Sequence, residues 1–223
     1  MKSSRQTTLR SHVTVTGIGV HSGAPATVTI GPAEVNAGFV FIRTGDDREI
    51  AASTSSVVAT DFATVLGDHQ GPLVSTAEHV LAALRGMGID NATIEVDGPE
   101  MPIMDGSAAP FVDAIDQAGI VQQNAPRRFI EILKTVQVTM GESFGELRPH
   151  AGGFRAELEI DFVNTPIGRQ AYAFDLSADS FRRDICRART FGRMGDVNKL
   201  WSAGYALGAS LENSVVVDET RVL

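Results

Sequence analysis

Twice along this chain a group of period-two segments gives way to helix-spaced ones, and that order restricts the fold more than any other feature of the sequence. Val13 and Val15 alternate with His12, Thr14 and Thr16, and the same period returns over 26–30 and 38–42, as in strands with one apolar face. Residues 57–66 read as one or two further strands, bracketed by turn chemistry at Asp46-Asp47 and Gly67-Asp68. Ser75-Thr76-Ala77-Glu78 has the form of a capping box, and Ala77, Val80, Leu81 and Leu84 follow at helical spacing before Gly86 and Gly88. This predicts a helix over 76–86. A strand over 91–96 carries Ala92, Ile94 and Val96 on one face, and a second helix begins after Ser107 with Pro110 in its first turn and ends at Gly119.

Asn124-Ala125-Pro126 reads as a linker, because a new alternating series starts after it. Short strands are expected over 129–133 and 135–140. Residues 153–162 alternate without a break, Phe154, Ala156, Leu158, Ile160 and Phe162 against Arg155, Glu157, Glu159 and Asp161, as in an antiparallel strand with one wet face. A strand over 172–174, a helix over 177–188 with Phe181 and Ile185 inward, a helix over 196–203 capped by Gly204 and a strand over 214–217 follow. Strands then helices, repeated, argue two α+β units over 1–124 and 127–223 rather than a parallel βαβ fold. The second unit has fewer helices and stops soon after a strand, so it reads as C-terminally incomplete.

At 223 residues the chain is long enough for a substantial core. Its 19 Lys and Arg against 27 Asp and Glu leave a net charge of −8, which argues against a nucleic-acid partner, since polyanion binding needs a positive field. Cys186 is the one cysteine, so no intrachain disulfide is possible and no oxidising compartment is required. No apolar stretch follows Lys2 and Arg5, and no run approaches the roughly 20 residues of a membrane span. The expectation is a soluble, cytoplasmic protein.

The chemistry-bearing residues have competing readings. On a helical projection His79 points away from the Val80, Leu81 and Leu84 stripe, towards a face bare of charge around Ala82, Ala83 and Gly86. Such a face meets a second domain or a ligand. Glu78 reads as the third residue of a capping box or as a base, and His79 as an interface histidine or a metal ligand; a carboxylate beside an imidazole suits deprotonation of metal-bound water. His21 lies in the glycine-rich stretch 17–23, where a ligand can approach. Cys186 sits among Arg182, Arg183, Arg187 and Arg189, which form either a solvated face or a phosphate site. Thr190, at a helix exit, is a cap or a donor to an oxyanion.

The segments Gly17-Ile18-Gly19-Val20-His21-Ser22-Gly23, Ser75-Thr76-Ala77-Glu78-His79, Gly88-Ile89-Asp90-Asn91, the long block 98–111 and Arg187-Ala188-Arg189-Thr190-Phe191-Gly192 occur in this order. The set resembles the UDP-3-O-acyl-N-acetylglucosamine deacetylase family, zinc hydrolases of lipid A (lipopolysaccharide) synthesis, over essentially the whole chain. The resemblance implies two similar layered α+β domains, each a mainly antiparallel sheet, with helices packed at the inter-domain interface beside the active site. It implies Glu78 as general base, His79 as one zinc ligand, Thr190 as oxyanion stabiliser and Phe191 at the uridine or sugar site. It places an acyl passage over about 193–216, with Val197, Ala206, Leu207 and Val216; Arg193 is an unexpected charge there, and His21, from its glycine-rich turn, is counted with the substrate-binding residues. The implied substrate is UDP-3-O-acyl-N-acetylglucosamine. Family members continue past the position of Leu223 into a His-Lys-x-x-Asp motif with the other two zinc ligands and then a catalytic histidine, none of which this sequence contains. The chain alone is therefore expected to be inactive and to self-associate through uncovered second-unit surface. The alternative is a non-catalytic domain or remnant retaining part of the UDP-sugar or acyl surface.

Overall fold

The computed structural model describes residues 5–45 and 48–223, so the turn expected at Asp46-Asp47 lies outside the described residues. The first half runs β1 (Arg5–Leu9), β2 (Val13–Ile18), β3 (Pro25–Pro32), β4 (Phe39–Arg43), β5 (Arg48–Ala51), β6 (Val57–Ala59), β7 (Val65–Asp68), β8 (Gly71–Val74), α1 (Glu78–Gly86), β9 (Ala92–Val96), α2 (Ala109–Ala118) and β10 (Ile120–Pro126). Its main sheet has the order β2-β3-β9-β4-β5 and is antiparallel except where β9 runs parallel to β4. Strands β6, β7 and β8 form a separate antiparallel sheet, and β1 pairs with β10. The fold is α+β, mostly antiparallel, with few helices.

The alternation read in the sequence explains the core. Ala92, Ile94 and Val96 of β9 are fully buried with Val28 and Ile30 of β3 and Phe41 of β4. One cluster joins them to Val80, Ala83 and Leu84 of α1 and Phe111, Val112 and Ile115 of α2. Each buried Val, Leu, Ile or Phe among them contributes ~1.5–3 kcal/mol on burial, so this cluster is the main stabilising mass of the chain. Helix α1 ends where Gly88 takes a left-handed φ of 80° and Ile89 N–H reaches back to Leu84 O, the glycine-capped exit expected.

The second half runs β11 (Val136–Met140), β12 (Ser143–Leu147), β13 (Arg155–Phe162), β14 (Gly168–Asp175), α3 (Ala178–Ser180) continuing into a π-helical turn over Phe181–Ile185, β15 (Phe191–Arg193), α4 (Met194–Ser202) and β16 (Val215–Val217). It joins the first half at Phe181, which is buried in the shared core. A Cβ at Gly86 would overlap the Phe181 ring, so the Gly86 end of the bare face of α1 is a close contact between the halves, while Ala82 on that face is exposed. Arg182 donates to Asp116 of α2 across the same contact.

Four local expectations need correction. The capping box does not form: α1 starts at Glu78 with no side-chain cap, because Thr76 adopts a left-handed φ of 59° and Ser75 is held in a bridge with Glu100. The segment read as a linker, Asn124-Ala125-Pro126, is the end of β10, with Pro126 opposite Arg5. Residues 129–133 form no strand. The long alternating strand β13 is antiparallel as expected, paired with β14, but Leu158 and Ile160 on its apolar face are exposed like its charged face.

No helix among the described residues is long and apolar enough to cross a membrane. The apolar surface lies elsewhere: Ile130 is 92% exposed, Leu133 82% and Met140 83%, with Val138 and Phe144 close behind. Paired strands with both faces wet are marginal alone, and apolar patches of this kind drive association. We therefore expect the 223-residue chain to associate with itself in a concentration-dependent way by analytical ultracentrifugation. A monomer that melts in one two-state transition across the concentration range would contradict this.

Candidate functional site

Glu78 and His79 open α1 where the chain leaves the left-handed turn at Thr76. One Glu78 carboxylate oxygen accepts the Thr64 N–H at 2.9 Å, and the other lies 3.9 Å from His79 Nε2. The carboxylate is thus anchored by a loop rather than by its own helix. The His79 side chain is only 15% exposed. Burial lowers its pKa below the ordinary 6.5, against the opposing pull of Glu78, a hydrogen bond to the Ser107 backbone and Asp105. At neutral pH this leaves a neutral imidazole, the form that can bind a metal.

The turn at 105–107 meets this pair from the other side. Asp105 Oδ1 accepts the Ser107 N–H at 2.9 Å and its hydroxyl at 2.7 Å, and Ser107 Oγ accepts the Ala109 N–H at 3.1 Å to start α2. Gly106 has φ 86°, and a Cβ there would overlap the Asn213 carbonyl; only glycine meets both demands. Its carbonyl accepts the Thr190 N–H at 2.8 Å, and Thr190 O accepts the Val215 N–H at 2.9 Å. Arg189 adds bonds to Asp105 O at 2.7 Å and Leu211 O at 3.1 Å. The turn therefore stands between the Glu78-His79 pair and Thr190 and hydrogen-bonds towards both.

The remaining candidates fall into two groups. Phe191 follows Thr190 in β15, 42% exposed, with its ring edge-on to Phe162 at 5.2 Å. Val216 lies opposite Gly192 in the parallel β15–β16 pair. His21 and Ala206 come together elsewhere: the Ala206 N–H reaches His21 Nδ1 at 3.4 Å, and the His21 ring stands edge-on to Tyr205 at 5.2 Å. His21 Nε2 also lies 3.3 Å from Phe62 O, so the 62–64 loop touches both His21 and Glu78. Val197 is half-buried on α4.

Three of the four arginines around Cys186 bond within the protein, Arg189 to Asp105 O and Leu211 O. Arg182 pairs with Asp116, Arg183 with Asp184, and the buried thiol donates to Arg182 O. Arg193, unexpected from the sequence, pairs with Asp196 one turn along.

Sequence reasoning missed Asp105, Gly106, Thr64 and above all Glu100. The Glu100 carboxylate, 2% exposed, accepts the His21 N–H at 2.9 Å, the Ser22 N–H at 2.8 Å and the Thr76 hydroxyl at 3.0 Å. A lone acid before the apolar run Met101-Pro102-Ile103-Met104 was the available signal, because an ionised group is seldom buried without dedicated donors.

Among the described residues no group of three or more His, Cys, Asp or Glu could hold a metal ion. His79 alone does not fit a catalytic zinc, which takes three protein ligands.

A family model described as LpxC, UDP-3-O-acyl N-acetylglycosamine deacetylase, matches residues 6–223. A UDP-3-O-acyl-N-acetylglucosamine deacetylase of Brucella ovis is 48% identical over 216 residues, covering 96% of this chain and 75% of that protein. The enzymes of the same name from Brucella suis biovar 1 and Brucella melitensis biotype 2 match at 48% and 47% over the same shares.

Glu100 makes the site sensitive to acid. Burial alone would raise its pKa, but the Ser22 hydroxyl, the His21 and Ser22 amides and the Thr76 hydroxyl together hold it below the ordinary 4.5. A carboxylate with a lowered folded pKa stabilises above its unfolded value, and that stability is lost as pH falls through the folded one. Glu100→Gln should cost about 1.5–3 kcal/mol at pH 7, the worth of hydrogen bonds to a charged group. In urea melts from pH 7 to 3 the gap to the wild-type chain should shrink below pH 4.5. A gap constant across that range would refute the assignment.

Proposed function

The chain belongs to the UDP-3-O-acyl N-acetylglycosamine deacetylase family, and on that footing we propose that it serves the hydrolysis of the acetamide of UDP-3-O-acyl-N-acetylglucosamine in lipid A biosynthesis, in the cytoplasm. The observation that carries the roles is the pairing of Glu78 and His79 at the start of α1, opposite a turn that hydrogen-bonds to Thr190. Glu78 is the general base: one oxygen is held by the Thr64 amide, and the other remains to take a proton from the attacking water. Thr190, whose backbone is bonded on both sides, is poised to steady the oxygen of the tetrahedral intermediate. His79, neutral, would supply one ligand to a zinc ion completed by residues outside those described, and such an ion would polarise the acetamide carbonyl and activate the water. The described residues do not complete that ion's ligand set, so the steps assigned to this chain are proton abstraction and charge stabilisation.

Phe191 lines the sugar or uridine side, and Val197, Ala206 and Val216 line the acyl side, with His21 supporting Ala206. The two α+β domains proposed, 1–124 and 127–223, put this site at their interface; the Gly86–Phe181 contact and the Arg182–Asp116 pair support that reading. One observation favours a second reading, a non-catalytic protein retaining part of the UDP-sugar or acyl surface: no metal-holding group forms among the described residues.

The test is acetate release from UDP-3-O-acyl-N-acetylglucosamine, measured on the chain and on a chimera in which it replaces the matching part of the Brucella ovis relative. In the active protein Glu78→Gln should lower kcat by roughly 10²- to 10⁴-fold, the usual share of a general base. Tm and zinc content should hold, since an amide oxygen can still accept from Thr64. His79→Ala should lower zinc occupancy along with activity. If Glu78→Gln lowers Tm and spares kcat, Glu78 is structural; if the chimera folds but releases no acetate, the non-catalytic reading stands.

A further inference from the structure

Glu100 lies outside the acid–base pair, yet it is the most heavily bonded buried carboxylate near it. Both its oxygens point into the turn at 19–23: His21 N–H binds one, Ser22 N–H the other. Gly19 lets the carboxylate approach, since a Cβ there would overlap Glu100 Oε2 and Ser22 Oγ. The turn in its turn carries the segment 205–208. Leu207 N–H donates to His21 O and Gly208 N–H to Val20 O, both at 3.0 Å, and a Cβ at Gly208 would overlap Gly19 O. Ala206 is held at a left-handed φ of 56°, a conformation that costs a non-glycine residue ~1–2 kcal/mol and persists only where its surroundings impose it. Its carbonyl accepts the indole N–H of Trp201, the one tryptophan, at 3.1 Å.

We propose that Glu100 is a positioning residue that fixes the glycine turn as a dock for the 205–208 segment and so sets the acyl-side wall of the site. The inference rests on the reading of Ala206 as substrate-facing. Glu100 acts through the backbone: its charge orders the His21 and Ser22 amides, the ordered turn presents the Val20 and His21 carbonyls, and these hold Leu207 and Gly208. Without the charge the turn loses its template, Ala206 relaxes to negative φ, and Trp201 loses its acceptor.

Trp201 emission reads this directly in the chain itself, with neither metal nor substrate. Trp201 is already 55% exposed and held by its indole bond to Ala206 O, so Glu100→Gln should lower the steady-state anisotropy of that emission. Gly208→Ala, which forces the same segment off the dock from the opposite side, should give the same signature. Glu78→Gln should leave Trp201 unmoved. In the active protein Glu100→Gln should raise KM about tenfold with kcat nearly kept, the pattern of lost binding rather than lost chemistry. If Glu100→Gln does not fold, Gly19→Ala, which wedges the carboxylate off the turn with its charge intact, takes its place. The proposal is overturned if Gly208→Ala lowers the Trp201 anisotropy while the Glu100 or Gly19 variant folds and does not. Failure of the deacetylase reading appears separately, as a wild-type protein without acetate release whose Trp201 response is as described.

Discussion

The hydrogen bond from the Thr190 N–H to the Gly106 carbonyl is the contact on which the candidate site depends. It joins the two halves of the chain at a glycine with no steric freedom to move, since its φ is 86° and Asn213 fills the space a side chain would take. On one side of that turn Ser107 and Asp105 fix the environment of His79; on the other Thr190 passes the constraint to Val215 and so to the β15–β16 pair.

The halves contribute unequally to stability. Nearly all the fully buried apolar side chains belong to the first half, with Phe181, Cys186 and Val217 as the second half's main deposits. The Glu78-His79 pair thus stands on the better-packed half. The substrate-side candidates Phe191, Val197 and Ala206 stand on short, half-exposed elements tied down by backbone bonds at Gly106, Val20 and His21. Segments of that kind open locally at lower cost than a core.

What could be read in the sequence was what local pattern controls. Ala92, Ile94 and Val96 alternate and are buried; Pro110 and Gly119 bracket α2; Gly88 ends α1. Of the bare face around His79, Gly86 has the close neighbour expected, Phe181, while Ala82 is exposed. Non-local effects were invisible. Strand β10 exists because β1, more than a hundred residues earlier, pairs with it, and nothing in Asn124-Ala125-Pro126 records that partner. The Ser75–Glu78 spacing fits a capping box, but Glu100 and the Pro99–Ser75 contact draw the chain into a left-handed turn at Thr76 instead, and Glu78 is released to Thr64. That local rule fails at the candidate site, where a side chain kept off its own helix is free for chemistry.

Amide hydrogen exchange, compared between the wild-type chain and Gly106→Ala, tests most directly whether the Gly106 turn couples the two halves. The account predicts slow exchange at Thr190 and Val215 in the wild-type chain and rapid exchange at both in Gly106→Ala, with Leu84 and Ile94 protected in each. Thr190 and Val215 amides that exchange freely in the wild-type chain, or that stay protected in a folded Gly106→Ala protein, would contradict it.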